Sequence, residues 1–223
     1  MCGRFALVTE KHILEMLFEL DYSLTFELKP RYNIAPTQQV PVIRLSAAEE
    51  KRELAFLKWG LVPFWSRDAA IGNRLINARA ETAHEKPAFR DAYKKRRLLV
   101  PASGFYEWKS ETGGKQPYFI TAKSQELISL AGLWERWDQG LEQPLETFTI
   151  LTTEPNPLVA ELHNRMPVII PPQSFDAWLD PLTAEDHLQE FLKPYPEDQL
   201  TYYPVSRLVN KPSNDLPELI RPL

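Results

Sequence analysis

Twenty prolines spread through 223 residues constrain this chain more than any other feature. Each fixes its own φ and removes a backbone donor, so neither long helices nor long uninterrupted ladders fit between them. The segment Pro30-Arg31-Tyr32-Asn33-Ile34-Ala35-Pro36-Thr37 carries two within seven residues and is expected to be irregular. The periodicity that survives between prolines is mostly strand-like. Strands are expected at Val40–Leu45, Leu54–Trp59, Leu98–Val100, Phe105–Trp108, Tyr118–Ala122, Leu127–Leu133 and Phe148–Thr152, with Thr112-Gly113-Gly114 as a hairpin signal. Helical spacing marks a segment capped by Thr9 and ending at Leu20, then Glu81–Lys94 with Pro87 disturbing its start, Gln173–Leu179 and Thr183–Leu192. Strands dominate the middle without regular βαβ alternation, and no Gly/Ser linker divides the chain. The expected fold is therefore α+β: one domain over residues 1–223, with a mostly antiparallel, barrel-like β core and flanking helices.

Composition excludes several classes. Hydrophobic residues make up 43% and charged residues 25%, ordinary values for a globular protein. No apolar run is long enough to cross a bilayer and no secretory signal opens the chain, so a cytoplasmic or nucleoid-associated protein without a membrane partner is expected. The four histidines show none of the spacings that zinc enzymes use, and one cysteine rules out an internal disulfide; neither metal nor cofactor is indicated. The net charge of −4 conceals an asymmetry. Between Arg74 and Lys109 nine basic residues face four acids, whereas from Gln173 to Tyr203 seven acids face Lys193 alone. One basic, anion-facing side would produce this pattern, and so would a solvated helix face.

The single cysteine is the second residue, in Met1-Cys2-Gly3-Arg4-Phe5. Removal of Met1 would give Cys2 an amine and a thiol on adjacent carbons, a pair that captures an aldehyde in a five-membered ring. The α-amine, with a pKa of about 7.7–8, is partly free base near neutrality. Three further segments each present a chemically capable side chain beside glycine, proline or arginine: Ile76-Asn77-Ala78-Arg79-Ala80-Glu81-Thr82, Gly104-Phe105-Tyr106-Glu107-Trp108-Lys109 and Leu162-His163-Asn164-Arg165-Met166-Pro167. A nucleophile, an amide, a carboxylate and an imidazole suit carbonyl chemistry with several proton transfers. Each residue also has a plain structural reading: Cys2 as an inert buried thiol, Glu107 as a paired strand carboxylate, His163 as a satisfied core histidine, Asn77 as a turn brace. The tryptophans Trp59, Trp108, Trp134, Trp137 and Trp178 read as packing.

Taken in order, these segments with Tyr32-Asn33-Ile34-Ala35-Pro36 and Val205-Ser206 resemble the SRAP family of abasic-site processing proteins, over nearly the whole chain. The resemblance implies a covalent sensor of abasic sites in single-stranded DNA, acting as a monomer. In that reading Cys2 is the nucleophile, Asn77 positions the new N-terminus, Glu107 handles protons at the sugar oxygen and His163 assists the Schiff-base steps. DNA contacts would fall to Arg4, Arg79, Thr152 and Arg165, with Phe64 and Trp65 stacking on bases. Strand nicking as a lyase and self-removal of Met1 belong to the same reading. Two competing functions remain at this point: an N-terminal-nucleophile cysteine hydrolase or peptidase, and a non-catalytic single-strand binder in which Cys2 is incidental.

Overall fold

A computed structural model describes residues 2–20, 27–46 and 51–223. In chain order the elements are β1 (Phe5–Leu7), α1 (Lys11–Phe18), β2 (Arg31–Ile34), β3 (Gln39–Leu45), β4 (Arg52–Trp59), β5 (Asn77–Arg79), α2 (Ala80–Ala83) and α3 (Arg90–Lys95). There follow β6 (Arg97–Ala102), β7 (Gly104–Glu111), β8 (Gly114–Ala122), β9 (Ile128–Trp137), β10 (Leu145–Thr153), α4 (Pro157–Ala160), β11 (Met166–Pro167), α5 (Phe175–Leu179), α6 (Glu185–Phe191) and β12 (Leu200–Pro204). Short 3-10 turns, among them Arg207–Asn210 and Pro217–Ile220, complete the chain.

Strands β10, β4, β3, β6 and β9 pair in sequence, and β9 pairs again with β10, so the five close into a barrel. All its contacts are antiparallel except β10 with β4. Strands β5 and β11 add to β10 outside the ring. The second sheet is open, ordered β12-β8-β7-β1-β2. The expected α+β fold with a mostly antiparallel, barrel-like core is the one observed.

Strand periodicity sorts side chains between two apolar layers. In β6, Leu98 and Val100 join the cluster containing Phe5, Trp59 and Phe148, whereas Leu99 faces the helical layer with Phe18, Tyr93 and Trp178. The strand is therefore buried throughout and reads as a continuous apolar run. Gly132 of β9 leaves room for this packing, since a Cβ there would lie 2.5 Å from Leu98 Cδ1. A third cluster, with Tyr106, Phe119, Val205, Val209 and Leu219, covers the outer face of the open sheet with the C-terminal turns.

Prolines shape the departures from expectation. The expected helix Glu81–Lys94 divides into α2 and α3 around Pro87, whose ring cannot continue a helix. The segment expected to be irregular contains β2, because Arg31–Ile34 fits between Pro30 and Pro36. Helix α1 begins after Glu10 with no side-chain cap, so Thr9 does not serve as one. The hairpin is as expected, with Glu111 opposite Gly114 and Gly114 at φ 107°. Strands β1, β5, β11 and β12, each two to five residues, fall below the length at which alternation shows.

Candidate active site

The N-terminal segment is held as an inner strand. β1 pairs with β2 through Phe5 and Ile34 and with β7 through Phe5 and Phe105. The Tyr106 N–H donates to the Arg4 carbonyl at 2.9 Å, so the antiparallel register continues toward the chain start and draws the residues before Phe5 alongside Glu107. On the other side of β7, Gly104 lets β8 lie close: a Cβ there would lie 2.4 Å from the Ile120 carbonyl oxygen and 2.5 Å from Phe119 Cζ. The Phe5 ring packs 5.3 Å from Trp59, which stacks on Phe148 at 6.2 Å, joining the open sheet to the barrel. Trp59 Nε1 donates to the Ile76 carbonyl at 2.8 Å and so fixes the residue preceding Asn77.

Cys2 is fully buried. Burial, reinforced by the nearby Glu107 carboxyl, pushes its thiol well above the ordinary range, against one favourable contact from the Arg4 backbone N–H. Asn77 reaches it from β5, donating from Nδ2 to the Cys2 carbonyl at 2.9 Å. The Asn77 Oδ1 is buried without a hydrogen-bond partner among the described residues. Met1 lies outside the described residues.

Glu107 and His163 line one cavity of about 400 Å³, together with Trp108, Lys115 and Asn210. Burial raises Glu107 to about 7, opposed by the Trp108 backbone N–H and by Lys115. At neutral pH this carboxyl is partly an acid and partly a base. His163 follows α4, whose first turn is capped by Asn156 Oδ1 accepting from the Val159 N–H at 2.8 Å. The His163 Nδ1 is anchored to the Arg165 backbone, 3.1 Å from its N–H nitrogen and 3.3 Å from its carbonyl oxygen, which fixes the ring's orientation. Burial lowers the His163 pKa, so the imidazole is neutral near pH 7.

The four residues expected to carry chemistry thus converge: Asn77 on Cys2, Glu107 on the Cys2 thiol, His163 across a shared cavity from Glu107. The expected DNA contacts are more scattered. Arg4 turns its guanidinium to Asn33 Oδ1 and the Val209 carbonyl, both at 2.6 Å, with the Trp108 ring 5.8 Å away. Arg165 forms a two-pronged pair with Glu81, at 2.7 and 2.8 Å, and donates to the Thr152 carbonyl at 2.5 Å. Thr152 is buried, and its strand partner Arg79 is exposed. Phe64 and Trp65 are each 47% exposed on a separate loop, where Trp65 Nε1 donates to the Pro87 carbonyl at 3.2 Å.

Two cavity residues escaped the sequence reading, and a third residue was given no role there. Lys115 and Asn210 line the cavity without belonging to any distinctive segment. Asn33 organises the neighbourhood, its Nδ2 donating to the carbonyls of Val209, Lys211 and Asn214 while Oδ1 accepts from Arg4. An asparagine in the distinctive segment Tyr32-Asn33-Ile34-Ala35-Pro36, flanked by Pro30 and Pro36, was the available signal. Among the described residues no group of three or more His, Cys, Asp or Glu side chains could hold a metal, and no helix is long and apolar enough to cross a membrane.

Comparison with known proteins adds an independent line. A family model described as SOS response associated peptidase (SRAP) matches residues 1–212. The chain is 44% identical over 223 residues to the abasic site processing protein YoqW of Bacillus subtilis (strain 168), covering 99% of each. It is 31% identical over 233 residues to the abasic site processing protein YedK of Escherichia coli (strain K12), covering all of both. A crystal structure of a protein from Bacteroides thetaiotaomicron superposes with a TM-score of 0.86 at 28% identity, covering the whole of both chains.

Proposed function

The chain belongs to the SRAP family, and from that premise we propose that it captures abasic sites in single-stranded DNA as a covalent thiazolidine on Cys2 after Met1 is removed. The closed sugar hemiacetal must first open. Glu107 in its acid form donates a proton to the ring oxygen as the C1′–O4′ bond breaks and the C1′ hydroxyl gives up its own proton to His163 or water, leaving the aldehyde at C1′. The α-amine of Cys2 adds to that carbon, and loss of one water gives an iminium. His163, a neutral imidazole near pH 7, moves protons between these steps. The thiol then adds to the iminium carbon as its own proton leaves, forming the C–S bond and closing the ring. Net, one aldehyde and one aminothiol become one thiazolidine and one water.

The observation that carries this reading is the Asn77 amide against Cys2. Its Nδ2 holds the Cys2 carbonyl at 2.9 Å while its Oδ1 is a buried acceptor lacking a donor among the described residues. An α-amine on Cys2 would supply that donor. The raised thiol pKa supports the order of events, since the sulfur is protonated near neutrality and reacts after the amine has made an electrophile. For the same reason a peptidase in which a resident thiolate attacks an amide is the less supported reading.

The same iminium acidifies the C2′ hydrogen and opens β-elimination of the 3′ phosphate. Lyase nicking follows from it, and thiol capture suppresses nicking by consuming the iminium. Exposed Arg79 serves phosphate contact, and Phe64 with Trp65 offers stacking surface on the loop. Arg165 is oriented by Glu81 and Thr152, while Arg4 acts chiefly by holding the C-terminal turns. One chain forms one ring with one site, so a monomer suffices.

Denaturing mass spectrometry before and after incubation with single-stranded DNA carrying one abasic site tests the reading. The expected result is loss of Met1 and an adduct mass equal to protein plus DNA less one water, absent with intact DNA. A mature Cys2 terminus without an adduct overturns it.

A further inference from the structure

We propose that Lys115 binds the DNA phosphate abutting the abasic sugar, a role that rests on the crosslinking reading and specifies how the strand enters the cavity. An abasic sugar in a strand carries a phosphate on each side, at O3′ and O5′. Seating it between Glu107 and His163 therefore brings an anion to the cavity wall. There it meets Glu107, which is partly ionised near pH 7 and repels it. Some cation must offset that repulsion.

The lining offers one. Of Glu107, Trp108, Lys115, His163 and Asn210, Lys115 alone is cationic at neutral pH, because His163 is held neutral by burial. The nearby arginines are otherwise engaged, Arg4 with Asn33 and the Val209 carbonyl, Arg165 with Glu81 and the Thr152 carbonyl, and Arg207 with the Gly113 carbonyl at the hairpin turn. Lys115 makes no ion pair among the described residues, and its charge is felt at both Glu107 and His163. Its place in the hairpin fits the task. Opposite Ser110 and just beyond the turn, it sits at the exposed end of the ladder whose buried part carries Glu107. A fixed backbone with a flexible, exposed ammonium can follow a phosphate as the sugar opens.

The test is a double-perturbation cycle with the full chain and a single-stranded oligonucleotide carrying a tetrahydrofuran abasic analogue, which has no aldehyde and reports binding alone. Two further oligonucleotides replace the 3′ or the 5′ flanking phosphate with a neutral methylphosphonate. Lys115→Ala is expected to weaken binding by up to about fivefold at low salt. It should also flatten the log Kd against log salt slope by about 0.7. One methylphosphonate should have the same effect on the wild type and none on Lys115→Ala, and Lys115→Arg should restore binding. Additive effects for both methylphosphonates, or an unchanged salt slope, overturn the assignment. Adduct formation on natural abasic DNA is read separately. A wild type that binds with the coupled pattern yet forms no adduct fails the crosslinking reading alone, whereas an adduct with additive effects fails Lys115 alone.

Discussion

Replacing Glu107 by Gln should make the protein more stable as pH rises, while disabling it. Glu107 is 2% exposed, and its pKa stands at about 7 against an ordinary 4.5. Below pH 4.5 the carboxyl is protonated in both folded and unfolded chains, and its burial carries no charge penalty. As pH rises from 4.5 to 7 the unfolded chain ionises first, and stability is lost progressively. Above 7 the folded form carries the buried charge, and the loss levels off at about 3 kcal/mol. Glutamine keeps the shape and never ionises. Urea unfolding of both proteins at pH 5, 6, 7 and 8 should therefore show the variant gaining on the wild type by about 2–3 kcal/mol across the series. The variant should also form adduct with abasic DNA at least 100-fold more slowly, the upper part of the usual contribution of a general acid being about 10⁴-fold. A stability difference that stays constant from pH 5 to 8 would refute the claim that burial sets the Glu107 pKa.

Cys2→Ala should lose the stable adduct yet retain an imine through its α-amine, trapped by borohydride as a reduced crosslink; a stable adduct without reductant would remove the thiol from the mechanism. Arg97 is buried and donates to the carbonyls of Tyr93, Lys94, Trp178 and Asp180, tying the ends of α3 and α5 to the barrel. Arg97→Met, which takes the guanidinium donors away from four carbonyls and leaves, among the described residues, only that of Asp180 with another donor, the Thr183 N–H, should cost about 3–5 kcal/mol in denaturant unfolding. Gly104→Ala should cost about 1–3 kcal/mol, because its methyl group meets the Ile120 carbonyl and the Phe119 ring; it should also slow adduct formation, since it pushes β8 away from β7, the strand that carries Glu107. A Gly104→Ala protein of unchanged stability would contradict that packing.

Much of the barrel was legible because its strands are long enough to alternate. Val40, Val42 and Leu57 point to the interior cluster while Ile43 faces the helices, and such a run declares itself over six or seven residues. The short strands β1 and β5, which position Cys2 and Asn77, do not. They exist because β7 and β10 offer a ladder edge, a fact of tertiary structure that three residues cannot encode. That Cys2, Asn77, Glu107 and His163 would meet was legible for a different reason: each stands in a distinctive local segment. Lys115 does not, since a lysine after a glycine turn looks like any solvated hairpin residue until the cavity is seen. Arg4 illustrates the reverse. Its segment suggested phosphate binding, but Asn33 and Val209, about thirty and two hundred positions away in sequence, claim its guanidinium.

The inner position of β1 bears on what happens when the chain is pulled from its start. A terminus anchored on a sheet margin is held by one ladder, which peels away residue by residue under tension. Here a load applied at Cys2 is divided between β2 and β7, and behind them the Arg4 fork is bolted to the Val209 carbonyl near the far end of the sequence. Traction on the first residues therefore strains the beginning and the end of the polypeptide together, so that a tether attached at Cys2 is mechanically fastened to the whole open sheet.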